Sequence, residues 1–373
     1  MTDTDTITSA LMRAKEDFLA GKHEEAFAAA EETLRRAEAI EGENRGEVSA
    51  CLQALGELHF SVGQFDKVRP LFERALDLRE GLLGEHVETA NSLQQLGDVL
   101  AMTGNVAGAT EQYRLAMRMR ESVLGPDDAF TAASVASVAM MHELSGDYAA
   151  AEPLFRRALK SRQAALGEND PITATAMISL GWILQCQGDL DAAEPLLKRA
   201  LEIQKATLGP RHHSSSATMC KLGLLYAEQK NYAAAEPVLA EALDVSEEIH
   251  GENYPQTTTC LSNLSDLYIS MEDYARAERL LERALRIKEA QIGPRHPDLI
   301  HDLSCMATCR RARGDRAGAR QALLRALEAS AASFGPEHAQ TRSIRRLLTE
   351  LAPQGKSQRR RPAKKRAKRK RKR

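Results

Sequence analysis

Glycine recurs along this chain with a near-constant period, and no other feature limits its fold so tightly. Gly42, Gly84, Gly125, Gly167, Gly209, Gly251, Gly293 and Gly335 are 42 residues apart at every step but one. The exception is a step of 41, a one-residue deletion between Gly84 and Thr89. A second series, Gly21, Gly63, Gly104, Gly146, Gly188 and Gly314, falls about half a period away. Two glycine turns per period mean that the chain reverses twice in each repeat. Pro126, Pro210, Pro294 and Pro336 directly follow glycines of the first series, where they keep a helix from continuing.

Between the turns the spacing is helical. After Gly146 the apolar residues Tyr148, Ala151, Leu154, Phe155, Ala158 and Leu159 recur at intervals of three and four, one stripe on one helix. Each repeat therefore reads as two antiparallel helices. Three small positions recur at fixed offsets. The first helix carries Ala14, Gly56, Gly97, Ala139, Gly181, Gly223, Ser265 and Ala307. The second begins with Ala26, Val68, Ala109, Ala151, Ala193, Ala235, Ala277 and Ala319, and one turn before its end has Thr33, Ala75, Ala116, Ala158, Ala200, Ala242, Ala284 and Ala326. A large residue follows this last position directly, as in Leu76, Leu159 and Leu201. Small faces let helix axes approach, and the large neighbour is expected to fill the groove beside them. Aromatic residues make up only 4% of the chain, too few for a sandwich or barrel.

The small-Ala-Ala signature resembles the tetratricopeptide repeat. The loop Ile292-Gly293-Pro294-Arg295-His296-Pro297 and the run Gly146-Asp147-Tyr148-Ala149-Ala150-Ala151-Glu152-Pro153-Leu154-Phe155 resemble its longer, kinesin-light-chain-like variety. The resemblance covers roughly residues 7–352, without the heptad segment of kinesin light chain itself. It implies an all-α, right-handed superhelical solenoid of about eight antiparallel helix pairs, with a C-terminal capping helix and a disordered basic tail. The expected limits are a flexible N-terminus at 1–6 and repeats at about 7–41, 42–83, 84–124, 125–166, 167–208, 209–250, 251–292 and 293–334. A capping helix at 337–352 and the tail at 353–373 complete the chain. Arg342, Arg345 and Arg346 give the capping helix a polar outer side. The first repeat is degenerate at Asp17 and Phe18 and reads as an N-terminal cap.

In such a stack the first helix of each pair lines a groove suited to peptides or helices. The resemblance implies adaptors, scaffolds and sensory binding domains. Helical phase assigns to this groove Glu57, Gln94, Gln95, Asp98, Glu143, Trp182, Gln185, Glu228, Ser262, Asn263, Asp266 and Arg311. Five are acidic and one is basic. Kinesin-light-chain grooves for acidic cargo rely on basic residues, so acidic cargo does not carry over. A chaperone-type carboxylate clamp needs Lys and Asn, and only Asn263 fits. An acidic groove favours basic ligands, the chain's own tail among them; equally, such charges are an ordinary solvated face. Trp182, the sole Trp, reads either as a groove anchor or as a ring laid flat into the core.

The formal charge of −1 hides a division. Residues 356–373 hold 13 basic and no acidic side chains, leaving residues 1–355 at −14. The tail residues Arg359, Arg360, Arg361, Lys364, Lys365, Arg366, Lys368, Arg369, Lys370, Arg371, Lys372 and Arg373 form a polycation without aromatic residues. Such a segment binds nucleic acid or another polyanion through phosphate charge, without base readout. Anionic lipid, the chain's own groove and a purely solubilising role are the other readings of the tail. In a eukaryote the clusters read as a nuclear localisation signal.

No phosphate loop, nucleophile elbow or HExxH motif is present, so no catalytic residue and no cofactor is expected. The six cysteines form no CxxC pair. His301, Cys305 and Cys309 lie four residues apart on one helix, but ligands so spaced drift around its axis, and no metal is assigned. His212-His213 stands where His296 and His338 recur, which points to a turn role. The opening residues lack a secretory pattern, and no apolar run is long enough to span a bilayer. The expected protein is a cytoplasmic, monomeric, non-enzymatic interaction scaffold that takes a protein or peptide ligand in its groove. The alternative is a nucleic-acid-associated protein whose tail binds DNA or RNA and whose repeats recruit a partner.

Overall fold

The structure is a computed structural model that describes residues 3–40 and 45–351. Among these residues it is all-α. In chain order the helices are α1 (Asp3–Leu19), α2 (His23–Ala39), α3 (Arg45–Ser61), α4 (Phe65–Leu83), α5 (Val87–Met102) and α6 (Val106–Leu124). They continue with α7 (Ala129–Leu144), α8 (Tyr148–Leu166), α9 (Pro171–Cys186), α10 (Leu190–Thr207), α11 (His213–Glu228) and α12 (Tyr232–His250). The last are α13 (Pro255–Ser270), α14 (Tyr274–Ile292), α15 (Ile300–Ala312) preceded by a 3-10 turn at Pro297–Leu299, α16 (Arg316–Phe334) and α17 (Ala339–Leu351). The chain forms two compact units, one ending at Leu225 and the other beginning at Tyr226. Within each, consecutive helices pack against one another. Residues 3–6 belong to α1 rather than to a flexible end, because nothing in that run breaks a helix.

Both glycine series sit at positive φ where they are described. The second series lacks glycine at two steps, and there Lys230 and Glu272 take φ values of 58° and 61°. They are the two non-glycine residues at positive φ among the described residues, each at a cost of about 1–2 kcal/mol. Asn or Asp follows this turn and caps the second helix. Asn105, Asp147, Asp189, Asn231, Asp273 and Asp315 each accept the N–H three residues on. In the other turn the residue three after glycine caps the next first helix. Asp128 and Asp170 do so with carboxylates, and His212, His296 and His338 with Nδ1.

Buried Thr131, Thr173, Thr257 and Thr341 hook this turn shut by donating to the glycine carbonyl six residues back, at 2.8, 2.9, 3.1 and 2.9 Å. The deletion after Gly84 shortens that reach by one residue. The buried Thr89 hydroxyl accordingly finds no partner.

The small positions work as contact slots, although the residue that enters them differs from the expected one. A Cβ on Gly56 would lie 2.3 Å from the Phe72 ring, one on Gly97 2.5 Å from Tyr113, and one on Gly181 3.1 Å from Leu197. These partners stand four residues after the first small position of α4, α6 and α10, and Phe72 and Leu76 share one core with Leu93 and Leu96. Side chains on a helix lean toward its N-terminus, which carries the earlier residue into the slot.

A buried polar rung recurs between four of the second helices and the next first helix. Arg79 donates to Ser92 at 2.6 Å, Arg120 to Ser134 at 2.6 Å, and Gln204 accepts from Thr218 at 2.8 Å. In the last rung Lys288 meets Asp302, a fully buried carboxylate, at 2.7 Å. Ser262 donates to the other oxygen of Asp302 at 2.9 Å. Burial lowers the pKa of both Arg79 and Arg120 from the usual arginine value. Successive second helices are also tied by half-exposed pairs, Arg74–Glu38 at 2.7 Å, Arg157–Glu121 and Arg283–Glu247 at 2.5 Å, and Arg325–Glu289. Such pairs contribute little each.

Candidate functional site

In the unit ending at Leu225, the first helices α1, α3 and α5 enclose a cleft of about 480 Å³. Leu11 and Phe18 of α1, Leu58 and Phe60 of α3, and Phe72 of α4 give it apolar walls. Met12 and Leu19, 64% and 78% exposed, stand on its rim. Its polar lining comes from Lys15, Ser61, Glu57, Gln95 and Asp98, the last three assigned to the groove from helical phase.

Hydrogen bonds hold these three in place. Gln53 and Gln95 donate to Glu57 Oε1 at 3.2 and 3.1 Å, which ties α3 to α5. The Tyr113 hydroxyl donates to Asp98 Oδ1 at 2.7 Å. Gln94 donates to the same oxygen at 3.4 Å and to Ser137 of α7 at 2.9 Å. Burial raises the pKa of Asp98 above the usual carboxylate value, and the bonds from Tyr113 and Gln94 oppose that shift. Burial and the carboxylate together push the Tyr113 phenol up.

Further along the same unit, Trp182 of α9 is half-buried, with the Lys221 ammonium 4.4 Å from its ring centroid. Burial lowers the pKa of Lys221, while the charge of Glu143 works in the opposite direction. Lys221 was missed from sequence. It stands two residues before a first-helix small position, the phase of Gln95 and Asn263, so the same rule would have found it. With it the groove set has a second basic residue. Gln185 is buried, 5% exposed, and faces no open groove.

In the unit beginning at Tyr226, Ser262 is also buried, its hydroxyl held in the Lys288–Asp302 rung. Glu228 and Arg311 are exposed and Asn263 is half-buried. Asp266 of α13 meets α15 instead. Its Oδ2 lies 3.0 Å from His301 Nε2, and its Oδ1 3.4 Å from Cys305 Sγ. Cys305 Sγ and His301 Nε2 are 3.7 Å apart. The hydrogen bond to Asp266 raises the pKa of His301. Burial, then the charge of Asp266, raises that of Cys305. A thiol held protonated in this way is a poor nucleophile. Cys309, the third residue of the sequence trio, is fully buried, and Asp266 from another helix takes its place in the cluster. The polybasic residues Arg359–Arg373 lie outside the described residues.

A model of the tetratricopeptide repeat matches residues 17–81, 59–122, 128–206, 183–244 and 214–290. The chain belongs to the tetratricopeptide repeat family. Solved tetratricopeptide structures share its fold. BtubC (BKLC) from P. vanneervenii has a TM-score of 0.51 at 24% identity, over 62% of this chain and 91% of that one. The STAND signal transduction ATPase with a tetratricopeptide repeat sensor from Pyrococcus horikoshii has 0.59 at 16%, over 94% of this chain and 49% of that one. At these identities the likeness is one of fold. No curated protein matches the sequence. Among the described residues no helix is long and apolar enough to cross a membrane.

Proposed function

We propose that this tetratricopeptide protein is a non-enzymatic interaction scaffold, cytoplasmic and monomeric, and that the α1–α3–α5 cleft anchors its ligand. The cleft carries this reading, because its walls are apolar while Glu57 and Asp98 line it with two carboxylates against the single ammonium of Lys15. That chemistry fits an amphipathic helix or extended peptide with one large apolar side chain beside a Lys or Arg. Trp182, with Lys221 over its ring, supplies a second contact for a longer ligand.

Panning a random-peptide display library on the full chain tests this reading. Enriched peptides are expected to pair an aromatic or leucine with a basic residue. Met12→Asp and Leu19→Asp, both at exposed rim positions, are expected to weaken those peptides about tenfold, roughly 1.4 kcal/mol. Binding that both variants leave unchanged would remove the cleft from the site.

The tail sequence supports a second reading, in which Arg359–Arg373 attaches the protein to nucleic acid and the repeats recruit a partner. Fluorescence anisotropy with labelled duplex DNA and RNA, on the full chain and on residues 1–355, separates the two. The second reading requires binding by the full chain alone. Its affinity must fall steeply with salt, with a log–log slope of about −0.9 per phosphate neutralised. Equal binding by both chains, or none, removes it.

A further inference from the structure

We propose that Asp266, His301 and Cys305 form a binding site for one Zn²⁺-class divalent ion between α13 and α15. The three donor atoms already stand at separations a tetrahedral ion would impose. Zn–O and Zn–N bonds of about 2.0–2.2 Å and a Zn–S bond of about 2.3 Å place neighbouring ligand atoms roughly 3.3–3.6 Å apart. With Asp266 Oδ1 as the oxygen donor, the observed separations are 3.3 Å for O···N, 3.4 Å for O···S and 3.7 Å for N···S. Seating an ion therefore asks for shifts of a few tenths of an ångström, within reach of side-chain torsions.

The backbone arrangement that makes this contact recurs along the chain. The residue just after a first-helix small position meets the residue two before the next one. Gln95 donates to Glu57 at 3.1 Å in this way, and Lys221 sits over Trp182. Between α13 and α15 the same two positions hold Asp266 and Cys305, and one turn before Cys305 stands His301. Among the described residues, this is the group of three Asp, Glu, His or Cys side chains whose ligand atoms converge.

The donor set selects the metal. A thiolate and an imidazole favour zinc and its neighbours over Mg²⁺ and Ca²⁺, which take oxygen ligands. Two anionic ligands cancel the charge of a dication, so the occupied site adds no net charge beside the buried Lys288–Asp302 pair. Without metal, the thiol proton and an imidazole proton bridge the three groups. On binding, the thiol proton and the imidazole Nε2 proton leave to solvent, sulfur and Nε2 bond to the ion, and the imidazole is neutral with its one proton on Nδ1. His301 is 60% exposed and Asp266 34%, so the ion enters from solvent and water completes a fourth position.

Titrating the chelator-treated full chain with Co²⁺ reads the site directly, because a cobalt–thiolate bond has its own near-ultraviolet charge-transfer band. The expected result is that band at one equivalent of cobalt, its loss on adding Zn²⁺, and its absence in Cys305→Ser. Asp266→Asn and His301→Gln are expected to weaken Zn²⁺ at least tenfold in calorimetric titration, while Cys309→Ala leaves it unchanged. Thermal melts of each variant without metal report whether it is folded. No thiolate band from the folded chain, or equal Zn²⁺ affinity in folded Cys305→Ser, would overturn the site. The peptide panning reads a different unit, so either result can fail without the other.

Discussion

Lys288→Met is expected to destabilise the protein by about 3–5 kcal/mol, read as a fall in the urea midpoint of the transition that involves α14 and α15. Lys288 is 18% exposed at its side chain and Asp302 is fully buried. The pair is 2.7 Å apart, and one further donor, Ser262, reaches the carboxylate. Methionine fills the space of the lysine stem but leaves Asp302 charged in a site with no counterion. Lys288→Met/Asp302→Leu removes both charges and should recover most of the loss, since the Coulomb attraction of a buried pair mainly offsets its own desolvation. A single variant costing under about 1 kcal/mol, or a double variant no better than the single, would show that Lys288 does not neutralise Asp302.

Gly56→Ala is the second large effect. Alanine ordinarily stabilises a helix interior over glycine by about 0.5–1 kcal/mol. Here its methyl would stand 2.3 Å from Phe72 Cε1 and 2.7 Å from Cδ1, inside contact distance of a ring that is itself 4% exposed. Overpacking of this kind costs about 1–3 kcal/mol, so the net change is expected to be a loss of roughly 1–2 kcal/mol. Phe72→Leu alone leaves a void and also destabilises. The double variant should lose less than the sum of the two, with a coupling of at least about 1 kcal/mol between them. The equivalent register elsewhere already holds such a combination, Ala307 and Leu323. A gain in melting temperature from Gly56→Ala would mean that α3 and α4 separate freely enough for helix propensity to win.

The site was legible in part. Phase alone placed Glu57, Gln95 and Asp98 on one face, and they line one cleft. Phase also selected Gln185 and Ser262, which are buried, because a helix has no sharp edge between its groove side and its packed side. Lys221 escaped selection although its register was the right one. Of the sequence trio, His301 and Cys305 reach Asp266 of α13, while Cys309 is buried.

The two kinds of information divide by range. The amino-acid sequence by itself determined the repeat length, the turns and the helix ends, because each depends on a few adjacent residues. Glycine takes positive φ in both turns; in one, Asn or Asp one residue later caps the helix, and in the other a threonine six residues after the glycine closes the loop. Lys230 and Glu272 keep that turn without glycine, which shows that the repeat imposes the conformation even where the residue resists it. Tertiary structure alone decided which side chains meet between helices. Phe72 rather than Leu76 enters the Gly56 slot, Lys288 finds Asp302, and Asp266 joins His301 and Cys305 across 35 and 39 residues. Those meetings depend on the axial offset and rotation of neighbouring helices. Many distant packing contacts set these together, and a helical period leaves them open.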